Sequence, residues 1–171
     1  MVRIAVAAAL DCSADAAWRA AHSPAAAGQL YRPLLQMRPR GGAQFPAVFE
    51  TGSRVDVALR FFGVLPAGTQ RIVIVDLDAQ EAGSRAAGSR AAGSQARTMR
   101  DAGRPLSGPL ALISFWNHEI TIIPAGPRSA VWRDELTIGG WFAPLAAVVL
   151  WPMWRWRVQK LRKLARGWRA Q

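Results

Sequence analysis

A histidine and an aspartate in the second half of the chain have the types and spacing for shared acid–base chemistry. Alternation after Ser114 puts Trp116, His118, Ile120 and Ile122 on one face and Asn117, Glu119 and Thr121 on the other. From Ser129 to Ile138, Trp132, Asp134, Leu136 and Ile138 share a face, opposed by Arg133, Glu135 and Thr137. Pro124-Ala125-Gly126-Pro127 reads as the turn joining two antiparallel strands. With Ile122 paired to Ala130, Ile120 meets Trp132, Trp116 meets Leu136, and His118 falls directly opposite Asp134. Directly opposed Cβ atoms lie about 5 Å apart. A carboxylate at that distance orients the imidazole and favours its charged form. Such a pair can hydrogen-bond a ligand carbonyl or hydroxyl, or act as a general base. It reads equally as two buried groups that satisfy each other. A register slip of one residue would separate them.

Around this pair the expected ligand wall is Trp116, Ile120, Trp132 and Leu136 from the strands, with Trp141, Leu145 and Val148 from the last helix. Trp116, Trp132, Trp141 and Trp151 are suited to stack on a flat ligand, or to fill a core. Trp154, Trp156 and Trp168 stand among arginines and are candidates for a membrane-interface anchor. His22 reads as a helix-end residue, and Asp76 and Asp78 as a turn signal rather than a catalytic pair. Nothing marks Cys12, the single cysteine, as a nucleophile. No Gly-rich phosphate loop, Gly-x-Ser-x-Gly elbow, His-Glu-x-x-His helix or Cys/His zinc spacing occurs, so no cofactor or metal is expected.

The positioning elements follow from periodicity and punctuation. Val2–Leu10 reads as a strand. Ser13 is an N-cap with Asp15 in the first turn, and Ser23-Pro24 restarts a second short helix that ends before Pro33. Residues 39–46 read as a loop. Arg54–Phe62 alternates, Leu65-Pro66-Ala67-Gly68 reads as a turn, and Thr69–Asp78 is the partner strand. From Gly83, Gly-Ser-Arg-Ala-Ala occurs twice and Gly-Ser-Gln-Ala follows; residues 80–96 read as a flexible insert in one domain spanning 1–171. Arg97–Asp101 is a short strand, then comes the hairpin, with its first strand placed at Leu110–Ile123. Residues 141–169 read as one helix with a weak point at Pro152. Trp154, Val158, Leu161, Ala165 and Trp168 form its apolar stripe. The fold class expected is α+β: a curved antiparallel sheet whose apolar face is covered by the terminal helix, leaving a cavity of about 300–1,000 Å³ between them.

The formal charge is +11, and 20 of the 22 basic residues are arginine. Seven basic and no acidic residues lie from Arg155 onward. A run of this kind is a solvated face or a contact for an acidic partner. Anionic membrane, met through Arg155, Arg162, Arg166 and Arg169, is preferred to nucleic acid. Residues 141–154 are uncharged but too short to span a bilayer, which takes about 20 residues. The apolar run Ile4–Leu10 ends at Asp11 and reads as a strand rather than a signal peptide, so a cytoplasmic location is expected.

The element order, with the segments "DCSADAAWRAAHSPAAAGQLY", "GTQRIVIVD", "AGPRSAVWRDELTIGG" and "LRKLAR", resembles the START-like helix-grip superfamily, also called SRPBCC. That superfamily includes lipid-transfer START domains, birch-pollen-type proteins and polyketide aromatase/cyclases. The resemblance covers nearly the whole chain outside the repeat insert. It implies binding or transport of a lipid, sterol or aromatic polyketide-like metabolite, with cyclase-like activity in some relatives. It carries over no catalytic motif.

Overall fold

In the computed structural model, residues 1–77 and 96–170 are described, the side chains of 169 and 170 excepted. The repeat tract lies outside the described residues. Strand β1 (Val2–Leu10) leads into helices α1 (Ala14–Ala21) and α2 (Pro24–Tyr31). Strands β2 (Leu35–Pro39), β3 (Arg54–Phe61), β4 (Leu65–Leu77), β5 (Arg97–Asp101) and β6 (Arg104–Ser107) follow. A 3-10 turn (Pro109–Leu112) precedes the hairpin β7 (Phe115–Gly126) and β8 (Ser129–Gly139). Helix α3 (Ala143–Ala165) closes the chain and runs into a 3-10 turn (Arg166–Ala170).

The two short helices start as their caps dictate. Ser13 Oγ accepts from the Ala16 amide and Ser23 Oγ from the Ala26 amide, with Pro24 in the first helical turn. All described strand pairings are antiparallel, in the order β1-β8-β7-β5-β4-β3-β2, with β6 paired to β4.

Four local expectations are corrected. The β3–β4 turn lies at Phe62–Val64, not at residues 65–68, which belong to β4. Phe62 (φ 50°) and Gly63 (φ 77°) supply the left-handed backbone, and the bulge opposite Leu59/Arg60 absorbs the Pro66-Ala67-Gly68 segment. Pro39, expected to open the loop of residues 39–46, instead ends β2, an edge strand on β3. Residues 110–114 precede β7 rather than opening it. Finally, α3 spans Ala143–Ala165 rather than residues 141–169, with Pro152 inside it as expected. Pro152 and Val148 are both exposed, so the carbonyl that loses its helical partner faces water.

Helix α3 buries Ala143, Ala146, Leu150, Trp154, Arg157, Leu161 and Ala165, a stripe at spacings of three and four. Its first half packs with Ile4, Leu136 and Ile138, and its second half joins the main core of Leu10, Ile74, Ile122 and Trp132. Among the described residues no helix is long and apolar enough to cross a membrane.

Candidate functional site

The hairpin presents Ile120, Ile122, Trp132, Asp134 and Leu136 as buried residues on its inner face, as the alternation required. Its register is two residues from the expected one. Ile122 pairs with Trp132, Ile120 with Asp134, His118 with Leu136 and Trp116 with Ile138. A shift of two preserves every face, so His118 and Asp134 become diagonal neighbours and still meet. His118 Nε2 lies 2.8 Å from Asp134 Oδ1. The register error came from the turn: β7 continues through Pro124 to Gly126, leaving only two residues outside the strands.

Asp134 is the hub of a buried polar cluster. Trp154 Nε1 donates to the same Oδ1 at 2.8 Å, and Arg157 Nη2 reaches Oδ2 at 3.0 Å. His118 packs edge-on against Trp154, with ring centroids 5.5 Å apart. The Arg157 guanidinium lies over Tyr31 at 4.4 Å and over Trp154 at 4.8 Å, within cation–π range. Burial pushes the Asp134 carboxyl up, but the charges of Arg157 and His118 and the bonds from His118 and Trp154 outweigh it, holding the pKa at about 2. Asp134 is therefore an acceptor only, and His118 Nε2 carries the shared hydrogen. Nδ1 is the nitrogen left for other work. Burial pushes the Tyr31 phenol up to about 12.

Asp101 stands across from His118 in the β5–β7 register. Its Oδ1 accepts the amides of Val73 and Gly103 at 2.9 Å each, and burial raises its pKa despite those bonds. Gly103 fits there because a Cβ would come within 1.9 Å of the Arg71 carbonyl oxygen.

A cavity of about 100 Å³ lies between the sheet, α1, α2 and the buried face of α3. Trp116, His118, Ile120 and Trp132 line it, with Tyr31, Asp101, Leu150, Trp154 and Arg157. The volume is smaller than expected because three indole rings and the Arg157 side chain occupy much of the space enclosed by the sheet. Asp134 and Leu136 lie behind this lining rather than on it.

The three wall residues expected from the last helix also do not reach the cavity. Trp141 is 79% exposed, Leu145 60% and Val148 69%, because the buried stripe of α3 runs through Ala143, Ala146 and Leu150 instead. Trp151 is also exposed. Conversely Trp154, expected near a membrane, is buried, and Trp168 packs near Trp132 with centroids 6.3 Å apart. Arg155, Arg162 and Arg166 are exposed as expected; the side chain of Arg169 lies outside the described residues. His22 caps α1 and contacts Asp76 Oδ1 at 2.9 Å. Among the described residues, no cluster of three or more His, Cys, Asp or Glu side chains could hold a metal.

Sequence reasoning missed Arg157, Tyr31 and Asp101. Arg157 left a readable signal: it falls three residues after Trp154 and four before Leu161, on the apolar stripe. Tyr31 and Asp101 left none, since only the meeting of α2, β5 and β7 brings them to the site.

No protein-family model and no curated protein matches the sequence. Solved structures do. Protein CV1439 from Chromobacterium violaceum superposes with a TM-score of 0.61 at 13% identity, covering 95% of this chain and 96% of its own. A START superfamily protein from Mycobacterium smegmatis gives 0.55 at 9% identity, with 96% and 97% covered. Norcoclaurine synthase from Thalictrum flavum, solved with dopamine and hydroxybenzaldehyde, gives 0.56 at 12%, with 97% and 87% covered. At such identities the likeness concerns the fold, and with the sheet order, the two short helices and α3 it leads to one conclusion: this chain has the START-like helix-grip fold.

Proposed function

We propose that the protein binds a small apolar molecule, of the size of a single aromatic ring with a short substituent, in the cavity between sheet and α3. The observation that carries this reading is the cavity itself, apolar over most of its wall and bordered by Trp116 and Trp132 with a few convergent polar groups. A dry cavity of about 150 Å³ is enough to hold benzene, so a cavity of about 100 Å³ takes one ring with a short substituent only when side chains at its wall move aside. A lipid or sterol would need wider opening. The solved helix-grip structure holding dopamine and hydroxybenzaldehyde supports an aromatic guest. A cyclase-like activity would run through His118, because Asp134 engages its Nε2 and leaves Nδ1 as the nitrogen that can exchange a proton with the guest. Thermal-shift and native mass spectrometry across aromatic, fatty-acyl, sterol and polyketide panels test the reading. A saturable, stabilising one-ring guest supports it; no binder in any class contradicts it.

A second reading concerns the outer face of α3. Leu145, Val148, Val149, Trp151 and Trp156 are exposed there, with Trp141 just before it, and Arg155, Arg162 and Lys163 follow in the second half with Arg166 just beyond. Exposed tryptophan and aliphatic groups beside arginine match an anionic bilayer surface. Co-sedimentation with phosphatidylglycerol vesicles at low and moderate salt tests it. Binding that weakens with salt is expected, and none at low salt refutes it.

A further inference from the structure

The buried polar atoms around the cavity are unbalanced in one direction. Arg157 Nε and Nη1, Trp116 Nε1 and Trp132 Nε1 are all buried and without a hydrogen-bond partner, and all are donors. Among the described residues no buried side-chain acceptor is left in the same state. Buried donors are normally paired, because an unpaired one forfeits its hydration. The carboxylate that pairs with Arg157 is already committed: Asp134 takes His118 and Trp154 on Oδ1 and Arg157 Nη2 on Oδ2. Arg157 is only 4% exposed, its guanidinium carbon lies over the rings of Tyr31 and Trp154, and its remaining donors lie in the plane of the guanidinium. Arg157, Trp116 and Trp132 all line the cavity, as do His118 and Asp101, but the four donor atoms themselves are covered, so a ligand meets them after side-chain shifts.

Resting on the small-molecule reading, we infer that the ligand is an organic carboxylate, with its apolar body in the cavity and its oxygens on the free donors of Arg157. The indole N–H groups of Trp116 and Trp132 are the further donors available to those oxygens. A carboxylate is the fitting partner because it offers several acceptor sites and a charge opposite to the guanidinium, which makes the bonds charge-assisted. A neutral amide supplies acceptance without charge, and an alcohol supplies less of both. A second void of about 10 Å³ beside Asp134, Trp132 and Arg157 has room for a single water and not for a ligand. The ligand therefore enters through the main cavity.

The test compares three probes of one shape, 3-phenylpropionate, 3-phenylpropionamide and 3-phenylpropanol, titrated calorimetrically into the full chain. The carboxylate is expected to bind about 10- to 100-fold tighter than the other two. Arg157→Lys keeps a cation beside Asp134 but removes the planar donors. It should bring the three probes within a few-fold of one another. Trp116→Phe keeps an aromatic side chain, though a smaller one, loses the N–H, and should weaken the carboxylate relative to the other two probes; it also serves if Arg157→Lys does not fold. Equal affinity of wild type for all three probes would overturn the inference, assign the free donors to bound water, and leave the cavity reading standing. Failure of all three probes to bind would overturn the inference and count against the cavity reading as well.

Discussion

Replacing Asp134 with asparagine removes one charge from the centre of the molecule and almost no volume. In the folded protein Asp134 joins β8 to His118 on β7 and to Trp154 and Arg157 on α3. Its carboxyl titrates at about 2 against an ordinary 3.8. A difference of roughly two units corresponds to about 2–3 kcal/mol of stability. The folded pKa is depressed, so this contribution is fully present above pH 4 and is lost as the pH falls toward 2. Asp134→Asn loses it at every pH and also strands the buried Arg157 guanidinium. Breaking a buried pair from one side costs about 3–5 kcal/mol. For a domain of this size that is a fall in Tm of about 6–20 °C. Differential scanning calorimetry at pH 7 measures the drop, and urea unfolding from pH 5 to pH 2.5 measures the slope. The wild type should lose stability across that window more steeply than Asp134→Asn. The double variant Asp134→Asn/Arg157→Met should recover part of the loss, since it no longer buries an unpaired charge. A Tm change under 2 °C with an unchanged acid slope would refute the hub role of Asp134.

Three further outcomes are expected. His118→Ala should weaken the one-ring guest several-fold and abolish any turnover while the protein stays folded by circular dichroism; unchanged affinity and turnover would reduce His118 to a partner for Asp134. Ala27→Phe, at the cavity wall on α2, should occupy much of the roughly 100 Å³ and cut affinity at least tenfold without lowering Tm by more than a few degrees. The exposed pair Trp141→Glu/Val148→Glu should change stability by no more than about 0.5 kcal/mol in urea titrations, yet abolish vesicle co-sedimentation.

The inner wall was legible in the sequence wherever alternation alone decided it. Trp116, His118 and Ile120 on β7, and Trp132 and Asp134 on β8, face the interior because period-two patterning fixes faces whatever the register. The register itself depended on how far the strands run into the turn, and the continuation through Pro124 has no compositional mark. On α3 the second half was readable because arginines outline the apolar stripe. The first half is apolar nearly all round, so nothing in the residues told Leu145 and Val148 apart from Ala146 and Leu150. Only packing against Ile4, Leu136 and Ile138 chose the side with alanines. Arg157 was overlooked by treating arginine as solvent-facing by type, although its position on the stripe indicated burial.

Binding in the cavity is tested most directly by the indole N–H resonances in a 1H–15N NMR titration with 3-phenylpropionate. Saturable shifts of the Trp116 and Trp132 resonances, with those of Trp141 and Trp151 unmoved, are the expected result. Shifts confined to the exposed indoles, or none at all, would contradict a ligand site inside the helix-grip fold.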